Sequence, residues 1–320
     1  MTNTTNTTTR SRFTNFRLYR TDKGMYAIAE GNVTREPNLI HSEGKKAFVG
    51  TGMGCGTLDV ADRCRKSGMN IPEDVDLGCF MSLRIYAEKA EAFSENVKKG
   101  NHVIVAGPVA YEEQTNDGKV YQNLTLTVDE FIARPNRDDM YISGSTARFT
   151  NVYETRSGDH AAKPMAANVF GEVTRKGELY EGGKVPVMKL SMKTEVNPVL
   201  VHDLATGTYS KDKTYADEGG YFTVIAFRKL AERMEKVVRQ GCKIAVTGSV
   251  QKNENEESGK IYYEIIADDF MILSWPPRNA ADEPKEDSGS APNRTKVEAD
   301  PIPPASDDEF DEEDEEELPF

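Results

Sequence analysis

Four aromatic residues stand at matched places in this chain: Phe80 and Tyr86 bracket FMSLRIY, and Tyr221 and Phe227 bracket YFTVIAF 141 positions later. Along an extended strand side chains alternate between two faces, and six residues span roughly 20 Å. Alternation makes Met81, Leu83 and Ile85 one apolar face, with Phe222, Val224 and Ala226 as its counterpart, so both sets point to a core. Phe80, Ser82, Arg84 and Tyr86, and Tyr221, Thr223, Ile225 and Phe227, are then expected outside. The chemistry open to such a face is non-covalent: exposed rings stack on flat π systems, and rings so spaced leave room for several nucleotides between them. The opposing reading is that these rings pack against a neighbouring barrel or cover a second core.

Other residues extend the same chemistry. Tyr111 opens a polar hairpin, and its counterpart in the second copy is Lys252. Tyr209 and Tyr215 alternate with Lys211 and Lys213 in the stretch NPVLVHDLATGTYSKDKTYADEGG, which reads as a long polar loop or hairpin. Arg35, Arg84, Arg175, Lys189 and Lys193, with Lys98 and Lys99, are candidates for phosphate contacts, each also explicable as a solvated surface charge. Covalent chemistry finds less support. His41, His102, His160 and His202 are scattered, and no convergent carboxylates or nucleophilic lysine stand out. Cys55, Cys64, Cys79 and Cys242 match no zinc spacing and read as buried free thiols. Glycines at 50, 52, 54 and 56 suggest a phosphate loop, but Cys55 and Thr57 occupy the places where GxGxxG needs its third glycine. A flexible, closely approached strand is the better reading, and neither a cofactor nor a metal is expected.

The elements that position these residues come from an internal duplication. Residues 80–109 and 221–250 align at a shift of 141, and the register continues through Gly118/Gly259 and Tyr121/Tyr262. In each copy an alternating strand enters a helix with apolar positions at 3 to 4 spacing: Ala90, Phe93 and Val97, then Leu230, Met234, Val237 and Val238. Gly100 or Gly241 follows as a candidate helix C-cap, then a strand, a polar hairpin and a last strand. Gly31 to Arg35 recur as Gly171 to Arg175, which carries the repeat back to a first strand. This order predicts a mostly β chain of two tandem five-stranded Greek-key barrels. The expected organisation is a disordered segment at 1–12, a first barrel at 13–133, a connector with an extra hairpin at 134–167, a second barrel at 168–275 and a disordered acidic tail at 276–320.

Charge is distributed unevenly. The net charge is -13, yet residues 276–320 hold 16 acidic and 4 basic side chains, which leaves residues 1–275 at a net of -1. An almost neutral body can carry a basic groove, so the acidic total does not exclude nucleic acid. Eight of the 15 prolines lie in that tail, which cannot bury enough apolar surface to fold. No apolar run is long enough to span a membrane and no signal peptide is evident, so a soluble cytoplasmic protein is expected.

The segments GNVTREPNL at 31–39, YFTVIAFRKLAE at 221–232, VVRQGCKIAVTGSV at 237–250 and the final EEELPF resemble the bacterial single-stranded DNA-binding protein family, in the form with two OB-folds per chain. The resemblance places Tyr221 and Phe227 on the family's stacking positions; where the family commonly uses tryptophan, this chain has only Trp275, expected to anchor the end of the second barrel. It implies sequence-independent binding of single-stranded DNA in replication, recombination and repair, a non-enzymatic homodimer associated with the nucleoid, and no membrane partner. It also implies a partner-binding tip made of Glu315, Glu316, Glu317, Leu318, Pro319 and Phe320. Two other readings stay open: an OB-fold nucleotidyl transferase or nuclease, and a protein-interaction scaffold whose acidic tail mimics DNA.

Overall fold

The computed structural model describes residues 16–56, 58–116, 119–136, 139–154, 165–255 and 259–276. The segment 1–12, residues 155–164 of the connector, and the acidic tail from 277 onward with its Glu315 to Phe320 tip lie outside the described residues.

In the first copy β1 (Phe16–Thr21), β2 (Gly24–Val33), β3 (Leu39–Ile40) and β4 (Phe48–Gly54) precede α1 (Val60–Lys66) and β5 (Phe80–Tyr86). Then come α2 (Glu88–Asn96), β6 (His102–Asn116), β7 (Lys119–Thr127) and β8 (Glu130–Arg134). Strands β2, β4, β5, β7 and β6 pair in that order, and β6 returns to β2, closing a ring in which only β5 and β7 run parallel. A connector carries β9 (Tyr141–Ile142), a 3-10 turn over Thr146–Phe149 and β10 (Asn151–Glu154). The second copy has β11 (Met165–Lys176), β12 (Val187–Thr194), α3 (Pro198–Thr206), β13 (Gly220–Phe227), α4 (Arg228–Val237), β14 (Lys243–Glu254) and β15 (Ile261–Ser274). Its ring runs β11, β12, β13, β15, β14 and back to β11, again with one parallel pair, β13 and β15. The expected pair of OB-fold barrels is thus present as two rings of the same strand order.

Both rings close at glycine. A β-carbon at Gly107 would fall inside contact distance of the Thr127 carbonyl oxygen, and one at Gly248 inside that of Ile266, so the crossing strands approach closely only where no side chain intervenes. Each barrel then fills its interior from the apolar face read by alternation. Met81, Leu83 and Ile85 join Phe93 and Phe131 in one core, and Phe222, Val224 and Ala226 join Met234 and Val246 in the other. Three of the four cysteines are buried and all are free thiols. Burial drives the thiols of Cys55 and Cys64 up to about 12, as desolvation of a thiolate requires.

A third core joins the barrels, both of which fall in one compact unit. It packs Ile28, Ile104 and Ile132 of the first against Phe170, Ala245 and Leu273 of the second, with Phe149 among them. The described part of the connector is tied to both barrels. The Glu130 carboxylate accepts from Lys89 at 2.7 Å, from Ser143 at 2.9 Å and from Arg148, while the Ser145 hydroxyl donates to Glu195. Burial pushes the Glu130 carboxyl up, but these donors outweigh it and hold it below the usual range. The Arg134 guanidinium lies 4.6 Å from the Trp275 ring, which packs on the second core as expected. Because β2, β6, β8, β11, β14 and β15 make this junction, the outer faces of β4/β5 and β12/β13 are not part of it.

Four expectations differ in detail. The stretch after Asn197 is helix α3 followed by a loop: the Asn197 side chain accepts from the Val199 amide at 2.9 Å, Pro198 opens the helix and Gly207 ends it at φ 73°. The connector strands do not pair with each other; β9 joins β8 and β10 joins β11. Gly100 and Gly241 have positive φ, 88° and 81°, but the helices end at Asn96 and Val237, so these glycines turn the chain into the next strand. Val237 is exposed and Ala231 takes the buried place on α4.

Candidate functional site

The outer faces of β5 and β13 carry the four matched rings into solvent: Phe80 is 58% exposed, Tyr86 44%, Tyr221 58% and Phe227 39%. Ile225, expected outside, is only 5% exposed. It sits mid-strand between Lys189 on β12 and Ile266 on β15, whose stems shelter it at the centre of the face. Each strand then breaks sharply into its helix at Ala87 (φ 57°) or Arg228 (φ 54°), two non-glycine residues at positive φ. Their amides donate at 2.8 Å to the carbonyls of Ala47 and Pro186, which locks the turn directly after the second ring.

Neighbouring strands decide the electrostatics. Lys189 and Lys193 of β12 stand opposite Ile225 and Tyr221 on the outer face, and Arg175 stands opposite Ser191 beside them. All three are exposed, and among the described residues none forms an ion pair. Arg35 is in the same state over the first barrel. Arg84 is not: both guanidinium nitrogens meet the Glu112 carboxylate at 2.6 Å, so its charge is already answered within the face.

The loop after α3 is organised by one carboxylate. Asp203, 7% exposed, accepts from Lys213 at 2.6 Å and Tyr215 at 2.9 Å, and lies 3.2 Å from the His202 ring nitrogen. Burial would raise its carboxyl, yet the bonds from Lys213, His202 and Tyr215 prevail and hold it at about 2. Tyr215 in turn stacks on Tyr209 with centroids 5.6 Å apart and planes 13° from parallel. Lys211 is exposed in the same loop.

Tyr111 and Lys252 occupy a different side. Tyr111 lies on β6 rather than on a loop, two residues from buried Val109, packs against the first core and donates to Glu113 at 3.1 Å. The ladder of β6 and β7 extends to Asn116 and Lys119, which explains why the polar residues there are strand rather than loop. Lys252 is exposed on β14 two residues after Val250, the matching side.

Sequence reasoning missed Phe48. It lies opposite Tyr86 on β4, with ring centroids 5.2 Å apart. Its pairing partner 38 residues away is invisible without the register, although the alternation Phe48, Gly50, Gly52, Gly54 marks the outer face of β4. No group of histidines, cysteines or carboxylates able to hold a metal ion occurs among the described residues, and no helix among them is long and apolar enough to cross a membrane.

Residues 183–273 match the family described as the single-strand binding protein family. A "single-stranded DNA-binding protein" of Caldanaerobacter subterraneus subsp. tengcongensis is 31% identical over 123 residues, covering 35% of this chain and 71% of that protein. Among solved structures, wild-type single-stranded DNA binding protein from Thermus aquaticus is 15% identical over 83% of this chain and 97% of its own, with a TM-score of 0.24. The small single-stranded DNA-binding protein from Streptomyces coelicolor is 17% identical over 35% of this chain and 95% of its own, with a TM-score of 0.26. TM-scores this low do not bear on the fold.

Proposed function

The chain belongs to the single-strand binding protein family, and from that premise we propose that it binds single-stranded DNA without regard to base sequence, protecting it in replication, recombination and repair. The observation that carries the reading is the pair of open faces with Phe80 and Tyr86 on one and Tyr221 and Phe227 on the other, all exposed. Every base has a π-face, so rings held on a rigid strand bind any sequence, and their few rotamers limit the entropy lost on binding. Arg35, Arg175, Lys189 and Lys193 replace counterions along the phosphates. Arg84, Lys213 and Tyr215, engaged by Glu112 and Asp203, act by fixing the surface on which bases lie. Binding is the whole of the activity; no covalent step and no cofactor enter it.

Two chains associate as a homodimer, giving the strand four barrels to cover. The acidic tail is repelled by bound DNA and stays outside the groove. Its Leu318, Pro319 and Phe320 enter an apolar pocket on replication, recombination and repair proteins, and Glu315, Glu316 and Glu317 meet a basic rim.

Fluorescence anisotropy of labelled oligo-dT, with duplex DNA and RNA as competitors, tests the reading. Tyr221→Ala and Phe227→Ala each remove one stacking contact, about 1–3 kcal/mol, or roughly a 5- to 150-fold loss of affinity. Wild-type affinity in both variants, or equal competition by duplex, refutes it. Removing residues 307–320 leaves DNA binding intact or tighter and ends capture of partner proteins; weaker DNA binding refutes the tail's role.

A further inference from the structure

The two outer faces have the same architecture but not the same chemistry. Opposite Tyr221, Thr223, Ile225 and Phe227, strand β12 presents Lys193, Ser191, Lys189 and Val187. Opposite Phe80, Ser82, Arg84 and Tyr86, strand β4 presents Gly54, Gly52, Gly50 and Phe48. The duplicated register therefore exchanges two lysines and a serine for glycines and a valine for a phenylalanine.

The glycines matter for what comes to lie over them. A β-carbon at Gly52 would stand 2.5 Å from Thr34 Oγ1 and 3.3 Å from Arg35 Nε, one at Gly50 3.1 Å from the Phe48 ring, and one at Gly54 3.5 Å from the Phe80 ring and from the Thr34 methyl. Phe80, the Arg35 guanidinium and Phe48 thus lie over a strand of glycines, with the small Thr34 side chain seated against Gly52, and Phe48 meets Tyr86 at 5.2 Å. Exposed Ile40, opposite Phe48 on β3, extends the apolar end. Arg84, the other cation of this face, is closed by Glu112. On the second face Lys189 and Lys193 project from fully side-chained β12 and Arg175 from neighbouring β11; Glu264 accepts from Gln251 at 2.8 Å, and Lys193 lines one cavity with Glu172, Glu195 and Glu218 while forming an ion pair with none of them.

We infer that the barrels hold a single strand by different means: the first lays bases flat on a low-charge track of Phe80, Arg35, Phe48 and Tyr86, and the second holds phosphates with Lys189 and Lys193. This rests on the single-stranded DNA reading proposed above. A guanidinium plane stacks on a base as a ring does, so Arg35 belongs to the track as well as to the charge. Stacking does not release counterions, so the second barrel carries most of the salt dependence.

The test measures oligo-dT affinity of the full chain at several salt concentrations. Lys189→Ala with Lys193→Ala should flatten the slope of log K against log salt by about 1.4, since each phosphate contact on a single strand contributes about 0.7. Phe48→Val, which copies the second barrel, should weaken binding about fivefold or more at every salt concentration and leave the slope unchanged. Gly50→Lys with Gly54→Lys places charge where the track runs and should steepen the slope by about 1.4. Wild-type binding with an unchanged slope in both lysine experiments, or with unchanged affinity in Phe48→Val, overturns the division of labour and leaves single-stranded DNA binding standing. Absence of wild-type binding overturns both.

Discussion

Ala87 and Arg228 are the two described non-glycine residues at positive φ, 57° and 54°, and they occupy the same place in the two copies. Each follows the second ring of its outer face and precedes a helix. Holding an L-residue at positive φ costs about 1–3 kcal/mol, and Ala87, with ψ -142°, lies outside the left-handed helical well in backbone that glycine adopts most readily. Glycine would remove that cost but add roughly 0.5–1 kcal/mol of unfolded-state entropy, so each Ala87→Gly or Arg228→Gly exchange should stabilise the chain by about 0.5–2 kcal/mol. For a protein of this size that is a rise in Tm of about 1–8 °C. The sites lie in different barrels and share no partner, so the double variant should show the sum. Thermal unfolding followed by circular dichroism at fixed protein concentration measures it, with Ala87→Val as the opposite control, which should lower Tm by more than the glycine raises it. Glycine variants less stable than wild type at both sites would refute the reasoning, because they would show that the turn is not strained.

Two further outcomes follow from the same geometry. The Asp203 carboxyl is held at about 2, below the ordinary value of an unfolded aspartate, about 3.9, so the stability it contributes is complete above pH 4 and is lost as pH falls toward 2. Amide protection over residues 207–217 should fall across that window, and Asp203→Asn should speed tryptic cleavage after Lys211 and Lys213 at neutral pH; protection unchanged between pH 5 and 2 would refute the carboxylate's role. Gly107→Ala drives a β-carbon into the Thr127 carbonyl oxygen, which is backbone and cannot swing aside. The loss should exceed the roughly 1–3 kcal/mol usual for overpacking, seen as a Tm well below wild type; an unchanged Tm would mean that the barrel does not close there.

Local pattern made much of the molecule legible. Strand alternation needs only a residue's immediate neighbours, so Phe80, Tyr86, Tyr221 and Phe227 could be assigned to outer faces, and their exposure agrees. The duplication fixed two barrels because each copy repeats the same order of strand, helix and hairpin, and the two rings share one strand order. Helix α3 was equally local in its signals, Asn197, Pro198 and Gly207, but the polar residues after it obscured them.

What needed tertiary structure was every feature set by pairing across sequence distance. Arg84 reads as a free cation until register brings Glu112, 28 residues on, to 2.6 Å. Nothing in the sequence joins Lys213 and Tyr215 to the Asp203 carboxylate that accepts from both at 2.6 and 2.9 Å, and nothing singles out Phe48 until its ring meets Tyr86. The joint between the barrels draws Ile28, Phe149 and Phe170 from three separate segments, and no periodicity within one segment encodes it. Sequence determined which side of each strand a residue takes, because alternation is a property of the backbone. Only the fold decided what it faces there, because charge pairing and packing act through space between residues that the chain holds far apart.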